Sequence, residues 1–544
     1  MRFNIKTATV DFSFKNITIA RAHAFFERRA TLILFIILSI ISIGSFIYYY
    51  MNGLGVAYND ARSHLDIGRR VVENLKPGFA QLGSVWLPLP HLLMTATIWN
   101  DFMWHSGLAG ALASMASFVG TGLLIYQFLK KLGADLFGRL IGVFVFALNI
   151  NILYMQSTAM TELLLIGTMT AAAYELLLWH KEETIFRLVK AAFWVMLSTL
   201  IRYDGWFLFL FAIGLIFLHT IRKYGYKTAE GVLVLFATLG GFGIFLWLLW
   251  NQMIFKDALY FIFGPYSASA QQDQLAAAGI LATKHNLAFS LKTYWYALVY
   301  NASLFTVLLS IAGGFLFWTD KRIQSSVRIA TIAILVPFFF NITALYLGQS
   351  VLFVQGLSGN TWFNVRYGLM MMPIIAIFTG YLLYRAKQLR WVLLGLILFV
   401  SFFTFVNNDA VTIDDARVGA SGKNVSEVSG WLRNNVPGKD GYVLISVASH
   451  DAIVFSSGLP MSKFIHEGTG QYWDLATAHP ERWVRWMIMR TNDTNDSTFR
   501  ILEHNSAFAQ KYRLVHHYPF ADIYELKPEY VSSLQPLPKL TSNK

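Results

Sequence analysis

Apolar runs close to 20 residues long recur along this chain, and that length is what a helix needs to cross a bilayer. They fall at 31–51, 107–129, 137–154, 158–179, 187–201, 205–220, 229–250, 294–318, 327–347, 366–384 and 391–406. The pattern predicts a polytopic α-helical membrane protein with about eleven spans. Charged residues make up only 14% of the chain, against about 25% in soluble domains. The net charge is +13. Its basic residues sit in short loops, which is the positive-inside bias of membrane proteins and not a nucleic-acid footprint. The chain has no cysteine, so disulfides and thiolate zinc sites are excluded.

The same bias predicts topology. Lys6, Lys15, Arg21, Arg28 and Arg29 precede the first run, which is too long for a signal-peptide core. It reads as an uncleaved span with a cytoplasmic N-terminus. Lys130, Lys131, Lys181, Arg222, Lys223, Lys321, Arg322, Arg385, Lys387 and Arg390 then all fall on the cytoplasmic side. Three polar segments are left outside: 52–106, 251–293 (with the loop-like Gly264-Pro265-Tyr266) and the tail 407–544. Residues 1–406 form a transmembrane domain on this reading. The tail carries a helical pattern at Val425–Val436 and strand-like runs at Tyr442–Val447, Trp483–Arg490 and Tyr512–Tyr518. That alternation predicts a small extracytoplasmic α/β domain. Its His450-Asp451, His466-Glu467 and His516-His517 pairs have no recognised ligand spacing.

Chemistry points to the first outer loop. Residues 61–75 have amphipathic helical spacing through Leu65, Ile67, Val71, Val72 and Leu75. Arg62 with Asp66, Asp66 with Arg70 and Arg69 with Glu73 stand four apart, as helical ion pairs do. Asp60 and His64 are left over. Asp60 suits an N-cap, but Asn59 suits it equally and would leave the carboxylate free. Pro77-Gly78 is a turn signal. Pro88 and Pro90 forbid a straight helix before His91, so the stretch to Trp104 is expected to lie along the outer leaflet.

Asn59-Asp60-Ala61 with Arg69-Arg70, then Leu87-Pro88-Leu89-Pro90-His91, then Val365-Arg366-Tyr367 before Pro373 together resemble the GT-C glycosyltransferases. The resemblance is nearest to the family-39-like protein O-mannosyltransferase and aminoarabinose-transferase group. It implies transfer of a sugar from a polyprenyl-phosphate donor to a protein, lipid or glycan acceptor outside the cytoplasm. It also implies that the loop acid, Asp60, is catalytic. The group's usual Asp-Glu pair reads Asp60-Ala61 here, which favours one carboxylate acting as base over a two-acid metal site. A divalent metal stays open, with Asp66, Asp101 or Glu162 as replacement ligands.

Ionisable groups near membrane spans persist where they pair or act. Arg202 and Asp204 read as a mutual pair, and Glu162 reads equally as a structural partner or a site residue. Arg366 can grip a phosphate through two parallel hydrogen bonds, with His91 orienting it and His64 in support. The mechanism expected is inverting direct displacement with Asp60 as general base. Two other classes fit the composition: a transporter or lipid flippase, and a non-catalytic membrane scaffold.

Overall fold

The computed structural model describes residues 13–264, 267–277, 279–418 and 422–539. Lys6 and the Pro265-Tyr266 part of the second outer loop lie outside them. All eleven apolar runs are helical, but not all are single spans. Among the described residues, eight helices are long and apolar enough to cross a membrane, or nine if a bent pair counts as one. The difference from eleven has local causes. The run at 137–154 breaks into Leu136–Ala147 and Ile150–Met155 because the Asn149 side chain caps a new helix by accepting from the Ile152 amide. Leu136–Ala147 has 12 residues and Ile185–Thr199 has 15. At about 1.5 Å per residue neither reaches the roughly 30 Å of a hydrocarbon core. The run at 294–318 is Leu287–Ala302 and Leu304–Thr319, meeting at 106°. Ser303 joins them at φ +65°, a left-handed backbone that no helix continues through.

Burial separates central helices from peripheral ones. In Glu162–Glu182 and Val365–Arg385, 83% and 89% of the apolar window is buried, against 6% in Lys387–Val418. The central pair buries side chains on every face, as a helix enclosed by others must. Glycine sets the closest approaches. A Cβ on Gly313 would run into the Phe378 carbonyl oxygen, and Gly138 and Gly380 each lie against the other's carbonyl. Lipid gives helices no hydrophobic drive to associate, so such close packing carries the association.

The tail holds one five-stranded sheet: β1 (Tyr442–Ile445), β2 (Phe464–Ile465), β3 (Val484–Met489), β4 (Tyr512–His517) and β5 (Asp522–Leu526), in the order β2-β1-β3-β5-β4. β1 runs parallel to β2 and β3, with helix Val447–Ser457 crossing from β1 to β2. β5 is antiparallel to β3 and β4. The three strands expected from sequence are β1, β3 and β4. The expected helix is Gly422–Asn435, whose Val425, Val428 and Leu432 are buried at helical spacing.

The tail packs on the first outer loop. Phe455 meets Trp104 edge-on at 5.9 Å, and Gln81 Nε2 donates to the Gly468 carbonyl at 2.7 Å. Between its glycine turns the loop is a chain of short helices, Phe79–Leu82, Leu89–Met94 and Asp101–His105, with no span. Leu93, Trp99 and Phe102 are exposed along it, as suits the expected interfacial segment.

A Gly313→Ala substitution is expected to destabilise the protein by about 1–3 kcal/mol through overpacking. Gly120→Ala, on a helix with open space at that point, is expected to be neutral or stabilising by up to about 1 kcal/mol. Thermal unfolding in detergent, read by loss of the monodisperse peak, checks the contrast.

Candidate active site

Asp60 does not cap its helix. The helix is Asn59–Val72, its N-cap is Tyr58 with extended backbone, and no side chain accepts there. Asp60 is therefore in the first turn, and its carboxylate is not free. Its Oδ2 accepts from Arg366 Nη2 at 2.6 Å. Arg366 stands on the 3-10 turn Val365–Met371, which a left-handed Asn364 (φ +56°) leads into. The guanidinium is buried, and each of its three nitrogens faces a carboxylate. Its Nε donates to Glu162 Oε1 at 2.9 Å, and its Nη1 lies 3.7 Å from Asp415 Oδ2. Tyr58 and Tyr367 flank it, with the guanidinium carbon 4.9 and 5.5 Å from their ring centres.

The network continues inward. Glu162, wholly buried at the start of the central helix Glu162–Glu182, also accepts from Arg202 Nη1 at 3.3 Å. Arg202 pairs in turn with Asp204 at 3.4 Å, as its sequence position suggested. Asp415 is held from behind by the Tyr58 hydroxyl, whose one proton is shared between the Asp415 Oδ2 at 3.1 Å and the Thr412 carbonyl at 2.8 Å. Counted as ionised, the four carboxylates outweigh the two guanidinium groups by two charges. Five distant stretches of chain thus meet at one point, and Asp60 is the most exposed acid in it, its side chain 42% accessible.

His64 and His91 form a second, uncharged unit. His64 Nδ1 and His91 Nε2 are 2.8 Å apart and share one proton-bearing hydrogen bond. Trp86 lies against His64 with ring centres 4.3 Å apart. Burial, and then the Arg202 and Arg366 charges, push His64 down to about 3. His91 is lowered as well, by burial and then by His64. Both rings are therefore neutral near pH 7 and offer hydrogen bonds, not positive charge.

The remaining expectations divide. Asp101 lies apart from the Arg366 cluster: it accepts from Arg69 Nη2 at 2.7 Å and is 77% exposed. Of the three helical ion pairs expected in this loop, only Arg69–Glu73 is an ion pair among the described residues. Arg62 Nε donates instead to the Val56 carbonyl at 2.8 Å. Asp66 accepts from the Trp104 indole at 3.0 Å, and burial raises its pKa. Tertiary partners outcompete a helical pair worth only about 0.2–0.5 kcal/mol. Among the described residues, no group of three or more His, Asp or Glu side chains is arranged to hold a metal ion. Asp415 and Tyr58 escaped the sequence reading; neither stands in a motif, and the contact between them spans most of the chain.

Two measurements test this geometry. Arg366→Met leaves Asp415 buried without its counter-charge and Glu162 with Arg202 alone, and is expected to cost about 3–5 kcal/mol in denaturant unfolding. Arg366→Lys is expected to rescue only part of that loss, because an ammonium lacks the planar fork. The second concerns pH. The folded His64 pKa lies below the unfolded value of about 6.5, so below that pH the unfolded chain binds more protons. The stabilisation from a neutral His64 is complete above about pH 6.5 and is lost as pH falls toward about 3. In His64→Gln the fall of the unfolding midpoint between pH 7 and 5 is expected to be shallower than in the parent.

No protein-family model matches the chain, and no characterised protein matches it by sequence. Solved structures do. The structure of ArnT from Cupriavidus metallidurans bound to undecaprenyl phosphate superposes with a TM-score of 0.57 at 10% identity, over 94% of this chain and 100% of that one. The archaeal oligosaccharyltransferase AglB from Archaeoglobus fulgidus, in complex with an inhibitory peptide and a dolichol-phosphate, gives a TM-score of 0.47 at 12% identity over 85% of this chain and 69% of that one. The fold assignment rests on the first of these. The chain is a multi-pass membrane protein with a GT-C-like fold and a small C-terminal sheet domain.

Proposed function

We propose that the protein is an integral-membrane glycosyltransferase that moves a sugar from a polyprenyl-phosphate donor to an acceptor outside the cytoplasm. The observation that carries this is the exposed end of the buried ion cluster. Asp60 has one carboxylate oxygen fixed by Arg366 and no hydrogen bond to the other among the described residues. A carboxylate held in one orientation, with an oxygen to spare beside an open face, is what a general base requires. The donor class draws support from the fold shared with ArnT, whose structure was determined with undecaprenyl phosphate bound.

The reaction proposed is a single displacement. The acceptor hydroxyl or amine attacks the anomeric carbon while Asp60 Oδ1 takes its proton. The bond from that carbon to the phosphate oxygen breaks, the configuration inverts, and the lipid phosphate leaves with the electron pair. Arg366 is the cation nearest Asp60 and faces the charge that develops on the leaving phosphate. Each of its three nitrogens already faces a carboxylate, so it acts as a fixed charge and not as an empty phosphate clamp. His91, being neutral, would contribute a hydrogen bond to the donor, with His64 setting its tautomer. Glu162 supports Arg366 from within, while Asp101 is a partner for Arg69 on this reading. No step runs through a metal. The proposed topology keeps the N-terminus cytoplasmic and the tail outside. The proposed domain boundary at 406 then falls just before Asp415, so the tail segment completes the cluster.

The test is turnover in nanodiscs with polyprenyl-phosphate sugars and a panel of hydroxyl and amine acceptors. Asp60→Asn is expected to lower kcat by about 10²–10⁴, the usual range for a general base, with an unchanged elution profile. Full activity in that variant would remove Asp60 from the mechanism. A parent protein that transfers nothing yet moves lipid-linked sugar across sealed vesicles would indicate a flippase instead.

A further inference from the structure

A cavity of about 290 Å³ lies at the 106° break between Leu287–Ala302 and Leu304–Thr319, outside the residues assigned to transfer. That is near the lower end of ligand pockets, roughly 300–1,000 Å³. Its wall is unusually polar for a site beside membrane helices. Asn149, Asn301, Ser303, Ser401, Thr404 and Asp409 line it, and among the described residues no lysine, arginine or histidine does.

Three features show that this polarity is organised. The first is the peripheral helix Arg390–Val406. Beyond its first two residues, its only polar side chains are Ser401 and Thr404. They stand three apart, hence on one face, and both line the cavity, while Phe399, Phe402, Phe403 and Phe405 are exposed. The second is the broken backbone. Broken helices in membrane proteins commonly build binding sites. The third is Asn301, which is 1% exposed and has a buried Oδ1 with no hydrogen-bond partner among the described residues. Its carbonyl oxygen already accepts from the Asn149 and Asn151 amides at 2.8 and 3.2 Å.

The lining selects a ligand class. With no cation present and Asp409 on the wall, a phosphate or other anion is disfavoured. A hydrocarbon tail would leave the amides and hydroxyls unmatched, at the cost that unpaired buried polar groups carry. Hydroxyl groups both donate and accept, so a ring bearing several of them matches amide, hydroxyl and carboxylate together. Tyr300, half-exposed and edge-on to Trp362 with ring centres 4.9 Å apart, adds a flat apolar wall. We propose that this cavity binds one ring of a neutral, polyhydroxylated carbohydrate. The inference does not depend on the chemistry assigned to Asp60. The wall of the cavity is joined to that region by one hydrogen bond, from Asn301 Nδ2 to the carbonyl of Val365, the residue before Arg366, at 2.8 Å.

The ring can come from a soluble glycan or from a glycolipid headgroup. Saturation-transfer NMR on the full chain in phosphatidylcholine nanodiscs, with glucose, mannose, galactose and N-acetylglucosamine, tests the first. Labelling by a monoglycosyl diacylglycerol with a photoreactive group on its sugar, mapped by peptide mass spectrometry, tests the second. Transfer to hexose ring protons, or labelling of the peptides containing Tyr300 and Thr404, is expected. Either signal should fall about tenfold, or about 1.4 kcal/mol, in Ser401→Leu and in Asp409→Leu, and should persist in Asp60→Asn. Signal from free hexoses identifies a glycan site, and signal from the glycolipid alone a headgroup site. Absence of both signals, indifference to both cavity substitutions, or equal labelling by a photoreactive phosphatidylcholine overturns the proposal.

Discussion

Everything at the outer-loop end of this molecule depends on one buried guanidinium. Arg366 is 4% exposed and touches Asp60, Glu162 and Asp415. A charge placed inside a membrane protein costs several kcal/mol unless it is paired and hydrogen-bonded. Here the partners come from the first outer loop, a central helix and the segment after the last span. The ion cluster is complete only when those parts are docked together. It therefore acts as an assembly condition as well as a local structure.

That condition explains how the tail relates to the bundle. Asp415 enters the cluster while the Tyr58 hydroxyl, on the first loop, binds both Asp415 and the Thr412 carbonyl. Asn151, on a short helix of the bundle, accepts from the Thr412 amide and hydroxyl at 3.0 and 2.8 Å. Residues just beyond the last apolar run thus lock onto the loop and the bundle at once. The sheet behind them adds the Phe455 contact to Trp104. The loop helix that carries Asp60 is clamped from both sides, so its carboxylate is set by rigid elements and not by a mobile loop.

Hydropathy alone located every long apolar helix, because lipid imposes that pattern on each segment independently. It missed where helices break. An average over many residues does not register one capping Asn149 or one left-handed Ser303. In the tail, periodicity found β1, β3 and β4. It missed β2, which is two residues long, and β5, where Asp522 and Glu525 interrupt the apolar alternation. The site was legible as a set of residues but not as a geometry. Asp60, Glu162, Arg366, His64 and His91 all stood out as polar groups in apolar surroundings. Their partnerships did not, since a contact between positions 60 and 366 leaves no local signature. Where local rules were applied to Asp60 and Asp66 they favoured a cap and helical ion pairs. Arg366 and the Trp104 indole took those carboxylates instead.

The same partnerships bear on whether one acid or two would act with Asp60. Three carboxylates were candidates to replace the acid missing at Ala61, none of them placed by sequence alone, and each is engaged elsewhere. Glu162 lies between Arg366 and Arg202, both drawing on its Oε1. Asp66 is bound to the Trp104 indole within the loop. Asp101 sits at the far side of Arg69. Bringing any of them beside Asp60 would break a charge-assisted or buried hydrogen bond, and the group left behind would carry the cost. The neighbours that Asp60 does have are a cation and a tyrosine-flanked cage around it. That setting holds the carboxylate in one orientation, which suits the single base proposed above better than half of a metal pair.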